Sequence, residues 1–344
     1  MSKKQHTNFD QRDMENLLRS SVPNAVMSSP GTRFDSAEEA SVFFAGELDY
    51  VKSRSYDVEY PELTALSLFP ISQEADAGAE TITYYTYEKQ GVAKIISNYS
   101  TNLPRADVIG KPSHAQIKSL GASYGYSAQE MRASRLAGKG LDARKAEAAR
   151  YAIDAANNKI AWAGDAEHGL MGVLSTGQNI PLYTVPNGAS GQSDWAHKTA
   201  DEILADINGM QAQVADTTNN VERPDTLALS ADRYMLISTK RIDDTATTIK
   251  KFILDNAPYI KNIVSCAELG AKNVETNPYA AASGGSAVAL LFTNDERKLS
   301  LENPMAYLQY PVEVRGLETV VPCEARTAGV IVYFPMSAII AVGI

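Results

Sequence analysis

Ser123 stands in the pentapeptide Gly121-Ala122-Ser123-Tyr124-Gly125. This matches G-x-S-x-G, the elbow that presents a serine nucleophile on a strained strand-to-helix turn for acyl transfer. The apolar run Ile117–Leu120 precedes it and a helical pattern follows. Acyl transfer also needs an acid and then a histidine downstream of the serine. Only His168 and His197 follow Ser123, and no HGGG-like oxyanion segment is present. A turn entering a helix that starts near Ser127 is the stronger reading. A serine hydrolase using Ser123 is the rival from a different class.

The other chemical candidates are weaker. Gly138–Ala143 (GKGLDA) fits G-x-G-x-x-A but follows a helical segment, where a phosphate-cradling loop should follow a strand. A helix break capped by Asp142 explains it better. Asp165, Glu167 and His168 could together bind a metal or exchange a proton, yet no second histidine or carboxylate sits at ligand spacing, so a surface turn is expected. Asp243-Asp244 lacks the alternating oxygens of a calcium loop. Lys250 and Lys251 read as the solvated face of a helix. Cys266 and Cys323 form neither a CxxC pair nor a disulfide framework, which fits a reducing compartment. No catalytic residue, metal or cofactor is therefore assigned.

The whole chain agrees with a non-catalytic reading. With 344 residues it has room for two or three domains, and 44% apolar content excludes wholesale disorder. A net charge of −9 argues against a dedicated nucleic-acid binder, which needs a basic face. Tyr outnumbers Phe by 17 to 8. Tyr joins a large apolar body to a polar tip, which suits surfaces buried against a partner. Met1–Asp13 has no secretory apolar core, and Ala328–Ile344 is interrupted by Pro335 and is shorter than the roughly 20 residues of a membrane span. That tail reads as two buried strands around a Pro-Met-Ser turn.

Residues 1–35 read as an arm. Ser36 and Glu39 form a capping box opening a helix from Ala37 to about Ser53. Glu80–Asn98 is rich in strand formers, and Glu88-Lys89-Gln90-Gly91 supplies a turn, so a β-hairpin is expected. An isolated hairpin is marginal in water, so one carrying Tyr84, Tyr85 and Tyr87 must pack on its own domain or on a neighbouring subunit. Ser127 to about Gly164 is helical, broken at Gly138 and Gly140. Its second part, from Asp142, carries Ala146, Ala149, Ile153, Ala156 and Ile160 as a narrow apolar stripe. Gly164–Asn179 reads as loop. From Ser193 an α/β block is expected: a helix from Asp194 to about Val214, strand Thr226–Leu229, helix Ala231–Ser238, helix Thr245–Asn256 and strand Tyr259–Val264. The linker Ser283–Ser286 and strand Ala287–Thr293 follow, and after Leu299 the chain is mostly β. The class is α+β.

Three runs resemble one family. They are Phe43–Leu63 (FFAGELDYVKSRSYDVEYPEL), Gly78–Tyr99 (GAETITYYTYEKQGVAKIISNY) and Leu141–Leu174 (LDARKAEAARYAIDAANNKIAWAGDAEHGLMGVL). They are similar to major capsid proteins of tailed bacteriophages with the Hong Kong 97 fold, the group called major capsid family proteins. Gly169-Leu170-Met171-Gly172-Val173-Leu174 also resembles the exit of the spine helix in encapsulins. The order of parts is similar too: arm, projecting hairpin, long helix, α/β block and terminal β segment.

The resemblance implies a shell subunit of hexamers and pentamers in an icosahedral virion. Its divisions are an arm at 1–35, a peripheral helix and connector at 36–76, and an extended loop at 77–101 lying over the next subunit. A peripheral domain with the spine helix spans 102–190, an axial domain 191–298, and a C-terminal β segment returning to the peripheral domain 299–344. Contacts between subunits are expected from Ile82, Tyr84, Tyr85, Tyr87, Lys89, Val92, Lys94 and Ile96. Partners would be other copies of the chain, a portal, and decoration or scaffolding proteins, assembled in the bacterial cytoplasm without a membrane. About 33 arm residues are too few for a built-in scaffolding domain. Packaged DNA would be met only by proximity, because an acidic subunit repels phosphate. Lys89 and Lys94 could serve a crosslink, but no crosslinking is expected. An encapsulin-type nanocompartment is the rival within the same fold.

Overall fold

A computed structural model describes residues 60–95, 103–137, 144–282 and 287–344. The chain divides into Met1–Tyr60 and Pro61–Ile344, and the helices and strands of the described residues belong to the second unit. The arm, the helix expected at 37–53, the break at 138–143 and the linker at Ser283–Ser286 lie outside the described residues.

In chain order the elements are α1 (Ala65–Leu68), β1 (Ile71–Ser72), β2 (Thr81–Gln90), β3 (Asp107–Gln116), β4 (Lys118–Ser127), α2 (Ala128–Ala137) and α3 (Arg144–Ala163). Then come β5 (Leu182–Thr184), α4 (Ala200–Thr217), β6 (Thr226–Leu229), α5 (Ala231–Thr239), α6 (Ile249–Asn256), β7 (Asn262–Ser265), α7 (Pro278–Ala282) and β8 (Val288–Phe292). The last are β9 (Leu299–Glu302), β10 (Met305–Gln309), β11 (Glu313–Arg315), β12 (Glu318–Thr327), β13 (Gly329–Val332) and β14 (Ala338–Val342).

The five-stranded sheet β5-β14-β8-β6-β7 explains the most apolar runs of the chain. Leu227, Leu229, Ala289, Leu291, Ile339 and Ala341 face one way, onto Ile203, Ile207 and Met210 of α4, Ile237 of α5, and Ile249 and Ile253 of α6. Ala228, Val288, Leu290, Phe292, Ala338 and Ile340 face the other way, onto Phe69, Trp162, Leu174, Leu301 and Val330. A sheet covered on both faces needs apolar residues at every position, so β8 and β14 lack alternation. The C-terminal β segment therefore does not stay together. β13 pairs with β9 in a three-stranded sheet, β1-β9-β13, while β14 crosses the single 3-10 turn Pro335–Ser337 and inserts between β5 and β8. An apolar strand of this kind belongs where both faces are covered, which moves it into the α/β block.

α3 packs its stripe on a third sheet, where β12 pairs with β10 and β11 on one side and with β4 on the other. Ala149 and Ile153 meet Cys323 and Ala325 of β12, with Leu120, Ala122 and Tyr124 of β4 packed alongside. Ile160 and Trp162 are buried at the helix end.

The α/β block starts later than expected. Asp194 caps only the 3-10 turn Trp195–His197, and the helix proper begins at Ala200. Thr199 and Glu202 form the capping box there: Glu202 N donates to Thr199 Oγ1 and Thr199 N to Glu202 Oε2. α6 likewise begins at Ile249 behind the Thr248 cap. Lys251 is exposed as expected, while Lys250 is half-buried: its ammonium lies over the Tyr234 ring and donates to the Tyr234 hydroxyl at 2.5 Å.

Beside the capping box, Lys198 Nζ and Trp195 Nε1 both donate to Asp206 Oδ2, at 2.6 and 2.9 Å. The Lys198 and Asp206 side chains are 1% and 3% exposed. Removing one partner leaves the other charged and buried, which costs about 3–5 kcal/mol, whereas an apolar replacement of both is close to neutral. Lys198→Met should therefore lower the urea unfolding midpoint sharply, and Lys198→Met with Asp206→Leu should recover most of the loss.

Candidate intersubunit surface

β2 and β3 form a two-stranded ribbon that, among the described residues, joins none of the other sheets. Ten antiparallel pairs run from Thr81↔Gln116 to Gln90↔Asp107, a length of about 33 Å. The chain does not turn back at Glu88–Gly91 as expected. β2 runs through Gln90, and its partner strand comes from residues 107–116, beyond the expected end of the loop at 101. Gly110 and Pro112 disguised β3 in the sequence. Both are tolerated because, among the described residues, each strand of the ribbon pairs on one side only, and on the other side proline withholds no ladder donor. Gly110 has a further reason: a Cβ there would stand 2.8 Å from Cε1 of Tyr87, whose ring crosses it.

Alternation along β2 sorts the expected residues onto two faces. Ile82, Tyr84 and Thr86 are half-buried on the inner face. Tyr84 packs edge-on against Tyr333 at 5.0 Å between centroids. Tyr333 in turn donates to Glu302 Oε1 at 3.1 Å, beside Ser300 Oγ, which donates to the same atom at 2.6 Å. Burial first, with the Glu302 carboxylate beside it, pushes the Tyr333 hydroxyl up to about 12, so it remains a donor. Arg326 also ties the ribbon base by donating to Ala77 O. Tyr84 thus anchors the ribbon to its own chain.

The outer face is open. Tyr85 is 60% and Tyr87 71% exposed, stacked at 6.3 Å with Pro112 and Gly110 across from them. Lys89, Val92 and Lys94 are exposed toward the far end, where they line a cleft of about 690 Å³ together with Leu103 and Val108, the ladder partner of Lys89. Ile96 lies outside the described residues. Sequence reasoning missed Val108, Gly110, Pro112 and the anchor Tyr333, whose pairing is visible only once the register is known.

The acyl-transfer reading fails on geometry. Ser123 sits midway along β4, opposite Pro322, within the paired strand and not on the strand-to-helix junction that follows Ser127. Ser119, Gly121, Ser123, Gly125 and Ser127 recur at every second position, so the motif records one face of a strand. Ser127 instead caps α2: Glu130 N donates to Ser127 Oγ and Ser127 N to Glu130 Oε2. His168 and His197 each pair locally, with Asp165 Oδ2 at 2.7 Å and Asp194 Oδ2 at 3.2 Å. His168 together with the Glu167 and His168 amides holds the Asp165 carboxyl below its usual range and closes the expected turn. Among the described residues no three His, Cys, Asp or Glu side chains converge as a metal site, and no helix is long and apolar enough to cross a membrane.

The exit of α3 is a close backbone junction. Val173 N and Leu174 N donate to Ala161 O and Trp162 O, and Ser175 Oγ donates to Ala163 O. The returning chain thus satisfies carbonyls that a helix end leaves unpaired. Gly164 and Gly329, at φ 77° and 74°, let the strands close on this turn, and Gly172 lies in direct backbone contact with Gly164.

The model of a family described as "major capsid protein" matches residues 91–344. No match was found among curated proteins. Among solved structures, the chain is similar to the capsid of Myoviridae phage XM1, with 16% identity over 88% of this chain and 99% of that one and a TM-score of 0.72. It is also similar to the capsid of the native GTA particle (10% identity, 90% and 99% coverage, TM-score 0.60). A virus-like particle from Pyrococcus furiosus shares the fold less closely (12%, 80% and 90%, TM-score 0.50).

Proposed function

Because the chain belongs to the major capsid protein family, we propose that it builds a phage head by closing into hexamers and pentamers around packaged DNA. It is a structural, non-enzymatic protein of a capsid shell. The finer reading rests on the ribbon β2–β3. A two-stranded ribbon is marginal alone, and this one carries two stacked, solvent-facing tyrosines. Burying them against the next copy makes the contact head-to-tail, because the ribbon of one subunit meets a different surface of its neighbour; such contacts close into rings. Portal, scaffolding and decoration proteins would join the shell afterwards or guide it.

The test is direct. Purified full-length protein, concentrated and imaged by negative stain, should form closed particles of uniform size with visible rings. Protein that sediments as a single chain at every concentration would defeat the proposal. DNA inside particles recovered from the host supports a phage head, and a protein cargo would favour a nanocompartment.

A further inference from the structure

A second surface differs in kind from the ribbon. β11 is an edge strand: among the described residues it pairs with β12 alone. The two meet through the two-residue turn Gly316-Leu317, with Arg315 opposite Glu318 and Gly316 at φ 65°. The pair flanking such a turn is hydrogen-bonded, and bonding alternates along the strand. Glu313 and Arg315 therefore turn their backbone groups toward β12, while the N–H and C=O of Val314 point out of the open edge. The side chains here are exposed and apolar: Val314 77%, Leu317 80% and Val312 59%. Edge strands are usually blunted by shortness, charge, proline or a bulge; β11 is short and carries Glu313 and Arg315, so only a strand that matches those charges can add to it.

The charges of this strand are complementary to their own reversal. Glu313 and Arg315 lie on one face, with Arg315 Nη2 donating to Glu313 Oε2 at 2.7 Å. An antiparallel copy turned about Val314 sets Glu313 opposite the partner's Arg315 and Arg315 opposite the partner's Glu313. Opposite charges facing directly across a ladder stabilise it. A one-residue slip would set each charge against a valine or a glycine and turn the faces over.

We infer that β11 is a twofold contact between copies of this chain, made by edge-to-edge strand pairing centred on Val314. The inference rests on the shell reading and adds to it. A head-to-tail ring uses up its own contact when it closes, so joining rings needs a different one, and a self-complementary patch serves that purpose.

Val314→Cys in the full chain tests this. The two native cysteines are buried. A hydrogen-bonded antiparallel pair has Cα atoms about 5.5 Å apart, inside the range a disulfide spans. Mild oxidation of assembled protein should give a reducible dimer and no larger species. Adding Glu313→Arg, which opposes like charges, should lower the dimer yield at least tenfold, and adding Arg315→Glu as well should restore it. Particles that form without any dimer, or a double reversal that fails to restore the yield, would overturn the contact while leaving the shell reading intact. Dimer without particles would keep the contact and defeat the shell reading.

Discussion

Gly172→Ala is expected to cost on the order of 3 kcal/mol and to leave most of the protein insoluble. A Cβ at this position would stand 2.4 Å from Gly164 N, 2.6 Å from Ile160 O and 2.6 Å from the Trp162 carbonyl carbon. All three are backbone atoms at the end of α3, so no side chain can swing aside. Relief requires moving the turn that satisfies the Ala161 and Trp162 carbonyls, and beneath it lie Trp162 and Leu174 in the core. Since domains are stable by only about 5–15 kcal/mol, this is a large share. Gly191→Ala is the control. Gly191 has a left-handed φ of 77° but nothing within 4 Å of an added Cβ, so only the conformational cost of about 1 kcal/mol applies. Soluble yield and urea midpoints should separate the two variants clearly; equal behaviour would remove the steric account of the junction.

The same junction marks what the sequence could reveal. The helical stripe from Ala149 to Ile160, the glycines after it and the apolar strands at 226–229, 288–292 and 338–342 were legible because period and composition are local properties. The destination of β14 was not, since an all-apolar strand reports only that both its faces are covered. The partner of β2 was hidden for the opposite reason. Asp107–Gln116 contains Gly110 and Pro112, which weaken a strand signal, and their acceptability depends on the one-sided pairing of the folded ribbon, which the sequence does not display. Ser123 drew attention because a two-residue alternation of small residues happens to spell a catalytic motif. On the surface, the three tyrosines fall on one strand, and parity sorts them onto its two faces. Tyr84 points to Tyr333 of its own chain, while Tyr85 and Tyr87 point away.

That parity sets up the strongest prediction for assembly. Tyr85→Asp with Tyr87→Asp should leave the protomer folded, because both rings are exposed and meet chiefly each other and the Gly110 backbone. Its thermal unfolding should shift by little. Assembly should respond very differently. A tyrosine ring brings 150–250 Å² of surface to an interface, and an unpaired carboxylate taken from water costs several kcal/mol. Even a loss of about 2.8 kcal/mol per contact is a hundredfold rise in the concentration needed to associate, and every subunit of a ring carries the change. Light scattering or mass photometry should then find protomers at concentrations where the parent chain forms particles. Tyr85→Phe with Tyr87→Phe should retain assembly if the aromatic bodies supply the contact. Tyr84→Ala should instead loosen the ribbon base, and its defect should appear as lower protomer stability before any loss of association. Normal particles from the double aspartate variant at parental concentrations would show that the outer ribbon face is not a subunit contact.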